Sequence, residues 1–152
     1  MIVRIIACKS KGLVPWLIRL NTNSPYNHLG LMASESRMID VDIGGVGLRS
    51  LPSAYDVFEV EMDTEAWKRA CSWLNRQMGK PYDYFALPGL ALYTALGWRR
   101  KPNLLNDSGS FFCSELVFRF CEAGGVKLMD DIDSANFHPG RIIYSPIAKR
   151  TK

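Results

Sequence analysis

The chain has 152 residues, 47% of them hydrophobic and 22% charged, with a formal net charge of +4. That length can bury a core without disulfide or metal staples, and it reads as one domain over residues 1–152. The charge is mild and no stripe of basic and stacking aromatic residues runs along the chain, so no nucleic-acid partner is expected.

No apolar run reaches the roughly 18 residues a membrane span needs. The longest, "FALPGLALYTALGW" (Phe85 to Trp98), is broken by Pro88, Gly89 and Gly97. The opening "MIVRIIACKSKG" is too short an apolar run for a signal peptide. It carries Arg4 inside and has no small-residue cleavage pattern after it, so a cytoplasmic location is expected. Cys8, Cys71, Cys113 and Cys121 fall at no metal-ligand spacing and read as free thiols.

In chain order, "IVRIIA" is dominated by β-branched residues and predicts a first strand. "GLVPWLIRLNT" places Leu13, Trp16, Leu17 and Leu20 at helical spacing with Pro15 in the first turn. "YNHLGLMA", "RMIDVDI" and "VFEVEM" predict three further strands. "DTEAWKRACSWLNRQMG" predicts an amphipathic helix with Asp63 as N-cap, closing on Gly79. "KPYDYFALPGLALYTALGW" reads as an apolar connection. "FFCSELVFRFCEAGG" predicts a second amphipathic helix ending at Gly124 and Gly125. The remainder is loop, with a short strand at "RIIY" and a tail. Strands first and helices beside or after them predict an α+β fold with a mainly antiparallel sheet.

Cys113 borders the apolar face formed by Phe112, Leu116, Val117, Phe120 and Cys121, and a free cysteine there is ordinarily a core residue. Its position argues otherwise. Ser108 and Ser110 are N-cap candidates, which would put Cys113 in the first helical turn. Backbone N–H groups and the helix dipole favour a thiolate there.

Such a nucleophile needs a base. His138 precedes Pro139 and reads as part of an exposed loop. His28 lies in a strand whose alternation sets Leu29 and Leu31 on one face and Tyr26, His28 and Gly30 on the other. The next strand offers Asp40 and Asp42 on one face. A three-residue loop at Ala33–Glu35 would pair Met32 with Ser36 and set His28 opposite Asp40. A register shifted by two would set Asp42 there instead.

Together "YNHLGLM", "MIDVDIGGVGLRSL", "GKPYDY" and "FFCSELVFRFCEAGGV" resemble the circularly permuted branch of the NlpC-type papain-like superfamily, the YiiX/YebB-like proteins. The order histidine, acidic residue, cysteine is that of the permuted branch. The resemblance spans about Ile2 to Pro146. It implies a papain-like core, with a nucleophile-bearing helix packed on an antiparallel sheet. By its motifs, Cys113 matches the nucleophile of the "CSEL" pattern and His28 the histidine of the strand. Asp40 matches the acidic orienting position, where relatives usually carry glutamate. Tyr82 matches the tyrosine that borders the oxyanion site.

The activity implied is that of a cysteine peptidase or amidase acting on an amide bond of the cell-wall-peptide type, with no metal or organic cofactor. The alternatives are a thioester-forming lipid acyl hydrolase or acyltransferase, and a non-catalytic module keeping the fold. The partner in the catalytic readings is a peptide-like or acyl-bearing substrate, and the apolar stretch Phe85 to Trp98 could line its groove.

Overall fold

The computed structural model describes residues 1–81, 113–130, 132, 134 and 137–152. The expectations for Tyr82, for the apolar stretch Phe85 to Trp98 and for the caps Ser108 and Ser110 lie outside the described residues.

The architecture is α+β. Among the described residues six strands form one antiparallel sheet in the order β4-β3-β2-β1-β5-β6. They are β1 (Ile2–Cys8), β2 (His28–Met32), β3 (Arg37–Asp42), β4 (Gly45–Ser50), β5 (Tyr55–Glu61) and β6 (Lys149–Arg150). β1 lies between β2 and β5, and its β-branched sequence suits that inner place. Val3, Ile5 and Ala7 enter the main core, while Ile6 and Cys8 join a second apolar cluster with Met38 and Val57.

Three α-helices are described: α1 (Leu13–Thr22), α2 (Thr64–Asn75) and α3 (Cys113–Ala123). Asp63 caps α2 by accepting from the Ala66 N–H at 2.7 Å. That helix ends at Asn75, and Gly79 lies in the turn that follows it. α3 ends in a Schellman motif. The Val126 N–H bonds the Cys121 carbonyl and the Gly125 N–H bonds that of Glu122, with Gly125 at φ +85.

α3 is held by packing more than by propensity. Leu116, Val117, Phe118 and Phe120 are buried in the main core, and each such side chain contributes about 1.5–3 kcal/mol. Trp67 of α2 meets Phe120 edge-on at 6.0 Å. α3 also packs across β2 and β3.

Three expectations are corrected. "RIIY" is not a strand: Pro139–Tyr144 is a 3₁₀ helix. Pro139 stands in its first turn, where the missing N–H costs nothing. Gly140 lies so close to Ser24 that a Cβ would sit 2.2 Å from the Ser24 Cβ. His138 is the half-buried N-cap of that helix rather than part of an exposed loop, because the Arg141 N–H bonds its carbonyl. Tyr26 packs into the main core with Leu29 and Leu31, where it meets Phe58 edge-on at 5.8 Å, because it precedes the strand and escapes its alternation.

Of the two registers that alternation leaves open, the structure takes the one shifted by two. Leu31 pairs with Ile39 and Met32 with Met38. The Arg37 carbonyl accepts from the Ala33 and Ser34 N–H groups, so the loop is displaced by one residue from Ala33–Glu35. Continued from those pairs, the register sets Asp42 opposite His28 and Asp40 opposite Gly30.

Candidate active site

The site lies where β2 and β3 part. Their ladder runs no further toward His28 than Leu31 and Ile39, although β3 stays paired with β4 through Asp42. The start of α3 comes to this split. The Cys113 thiol is within hydrogen-bond reach of the His28 side chain and of the backbone N–H groups of Leu29 and Ser114. Leu29 can offer its N–H because the strands have separated.

His28 does not meet the aspartate its register would place opposite. Its Nε2 lies 2.6 Å from Asp40 Oδ2, a diagonal contact across the two strands. Gly30 makes the diagonal possible. A Cβ at Gly30 would stand 3.2 Å from the Asp40 Cβ and 3.1 Å from Met38 Sδ. With Nε2 on the carboxylate, Nδ1 is left for the thiol. When the ring is protonated, that nitrogen donates to the thiolate.

Asp40 is only 3% exposed, and a buried carboxylate must be paired. Its second oxygen, Oδ1, accepts from Arg49 Nη1 at 2.6 Å. The same guanidinium donates from Nη2 to Asp42 Oδ1 and, at 2.7 Å, to the Gly45 carbonyl.

Arg49 is the residue that pattern reading of the sequence missed, because "GVGLRS" looks like loop. The available signal was a strand-spaced arginine after a glycine-rich turn, following two aspartates of one strand face. The guanidinium lies against Gly47, where a Cβ would touch it at 3.4–3.6 Å, an ordinary contact distance. Gly45, at φ +87, has the Lys80 carbonyl 2.3 Å from where a Cβ would be. Val46 N–H bonds that carbonyl and the Val46 carbonyl accepts from Gly79, tying the segment before Tyr82 to the edge of β4.

Electrostatics separate the four thiols. Burial pushes the Cys113 pKa up, but the His28 charge and hydrogen bond, with the Leu29 and Ser114 N–H groups, outweigh it and bring the pKa below the ordinary thiol value. Burial works against charge on His28 too. The thiolate of Cys113, the hydrogen bonds to Asp40 and Cys113 and the charge of Asp40 prevail, and raise it to about 10. Cys121 is pushed up to about 12 by burial alone. Cys8, the cross-strand partner of His28, is also pushed up to about 12, by burial first and then by the charges of Cys113 and Asp40. Burial raises Cys71 as well. His138 is driven the other way from His28, down to about 4, by burial and the charge of Arg141.

The structure thus brings Cys113, His28 and Asp40 together, holds Asp42 on Arg49 and leaves His138 on a separate element. No family model matches the sequence, and no curated protein matches it. The fold is similar to that of the metalloprotein YiiX from Escherichia coli O157:H7. The TM-score is 0.68 at 18% identity, over 98% of this chain and 94% of that one. The chain therefore has a YiiX-like fold. No described helix is long and apolar enough to cross a membrane.

Proposed function

We propose that this chain is a cysteine-dependent acyl-transfer hydrolase that cleaves an amide bond in a peptide-like substrate. The observation that carries the reading is the line Asp40–His28–Cys113. A buried carboxylate fixes one imidazole nitrogen, the other nitrogen is left for a thiol, and that thiol stands at the start of a helix.

In the proposed reaction, the Cys113 thiolate attacks the carbonyl carbon and the carbonyl electron pair moves onto oxygen. The backbone N–H of Cys113, with Tyr82 as a second donor, meets that oxyanion. Each such donor contributes about 3 kcal/mol to the barrier reduction. Collapse of the intermediate expels the amine, which takes its proton from His28, and leaves a thioester on Cys113. Water then attacks the thioester with His28 accepting its proton. The acid is released and the thiolate is restored. Asp40 keeps the imidazole in one tautomer throughout.

YiiX is called a metalloprotein. Among the described residues of this chain no three His, Cys, Asp or Glu side chains converge on a metal position. Asp40 already has one oxygen on His28 and the other on Arg49. These donors do not fit a metal ion, and no step above runs through one.

The test is hydrolysis of a panel of cell-wall-type peptides and acyl esters by wild type and Cys113→Ala. The expected result is amide cleavage that requires Cys113. Cleavage of esters alone would replace the amidase reading with the acyl-hydrolase one. Equal activity in both proteins would overturn the catalytic role of Cys113.

A further inference from the structure

Two aspartates on one face of β3 compete for His28, and the register favours the wrong one. Asp42 would face His28 directly, yet Asp40 makes the contact. The difference lies in what holds each carboxylate. Asp42 Oδ1 accepts from both Arg49 Nη2 and the Gly44 N–H, and so is drawn toward the β3–β4 turn. Asp40 is held by the other arm of the same guanidinium through Oδ1, which leaves Oδ2 for the imidazole.

The guanidinium is itself fixed. Nη1 also donates to the carbonyls of Asp40 at 3.1 Å and Gly47 at 3.3 Å, and Nη2 to that of Gly45 at 2.7 Å. A planar fork with this many acceptors has one orientation, which a lysine could not reproduce.

We propose that Arg49 is the positioning residue of the site, the group that commits Asp40 rather than Asp42 to His28. The inference rests on the catalytic reading of Cys113 and deepens it. Arg49 touches neither the thiol nor the imidazole in the described contacts. It acts through Asp40, by fixing which oxygen is presented and keeping the carboxylate charged in a buried place. A Cβ at Gly44 would press on Asp42 Oδ1 at 3.2 Å, whereas one at Gly47 would meet the guanidinium at ordinary contact distance.

The experiment is a double-mutant cycle read by iodoacetamide alkylation of Cys113 across pH, with thermal melting recorded for each protein. The groups whose charges bear on the profile are His28, Asp40, Asp42, Cys8 and Arg49 itself. Arg49→Met should slow Cys113 labelling at neutral pH by about tenfold or more and move its acid limb toward the free-thiol value. Asp40→Asn should do the same, and the double variant should be no slower than Asp40→Asn, because Arg49 acts through that carboxylate. Arg49→Lys should fall between wild type and Arg49→Met, and it decides the matter where the Met variant does not melt cooperatively.

Full additivity in the cycle, an unmoved acid limb in Arg49→Met, or a Lys variant equal to wild type would overturn the inference. A wild-type chain with no fast cysteine would instead overturn the nucleophile reading beneath it. The two failures are therefore distinguishable.

Discussion

Cys113 and Cys121 sit on the same helix roughly two turns apart, and they are opposite kinds of thiol. Cys121 is fully buried in the main core among apolar side chains, and burial alone pushes its pKa up to about 12. Cys113 stands at the other end of the helix, half-buried, with an imidazole and two backbone N–H groups against its sulfur, and its pKa falls. Residue type and helix are common to both. What differs is whether the groups facing the sulfur can stabilise a negative charge. A sheet that splits beside a helix start brings an imidazole and a strand N–H to the thiol, and these favour its charged form.

Deleting each thiol in turn should separate their roles. Cys113→Ala should abolish hydrolysis, a loss of about 1000-fold or more, and leave the fold intact. Cys121→Ala should keep the fast-labelling thiol while costing about 1–2 kcal/mol of stability through the cavity it leaves. Hydrolysis rates and denaturant melts on the same two proteins check this.

Removing the partner should make the first thiol behave more like the second. His28→Ala should slow alkylation of Cys113 near neutral pH by about 100-fold and move its acid limb up toward the ordinary thiol value of about 8.5. A pH–rate profile of labelling checks it.

A methyl group placed in the diagonal path should act on the site before it acts on the core. Gly30→Ala would bring a Cβ within 3.2 Å of the Asp40 Cβ and of the Ile39 carbonyl. The expected loss is about tenfold in Cys113 reactivity with a modest change in melting temperature. Gly45→Ala is the contrasting case. Its φ of +87 and the Lys80 carbonyl predict a stability loss of at least about 1 kcal/mol.

A further effect is the pH dependence of stability. The folded-state pKa of His28 is raised to about 10. Its protonated form therefore contributes stability that is full below about pH 6.5 and is lost as pH rises through about 10. Melting temperatures of wild type and His28→Gln should converge as that window is crossed upward.

The strands that carry His28 and Asp40 were legible because their apolar residues alternate and one face is buried. Ile39 and Val41 pack to one side and Asp40 turns to the other. The end of α3 was legible for the same kind of reason, since Gly125 at φ +85 is where the chain must leave the helix. The register was not. It depended on a loop displaced by one residue, and alternation is unchanged when strands slip by two. β4 was hidden because glycine is a poor strand former, and only the pairing with β3 and the space for Arg49 explain it as a strand. "RIIY" misled in the opposite sense, because β-branched propensity was overridden by Pro139 and the tight contact at Gly140. β6 has two residues, too few to show any period.

The most direct measurement of the central claim is competitive alkylation. Native protein is treated with a limiting amount of iodoacetamide at neutral pH, and modification is read by mass spectrometry at Cys8, Cys71, Cys113 and Cys121 together. Cys113 should be modified first, at a rate that follows a pKa below about 8.5, while Cys121 and Cys8 stay unmodified until the protein unfolds. Labelling of Cys113 no faster than that of Cys71, in folded protein with His28 intact, would contradict it.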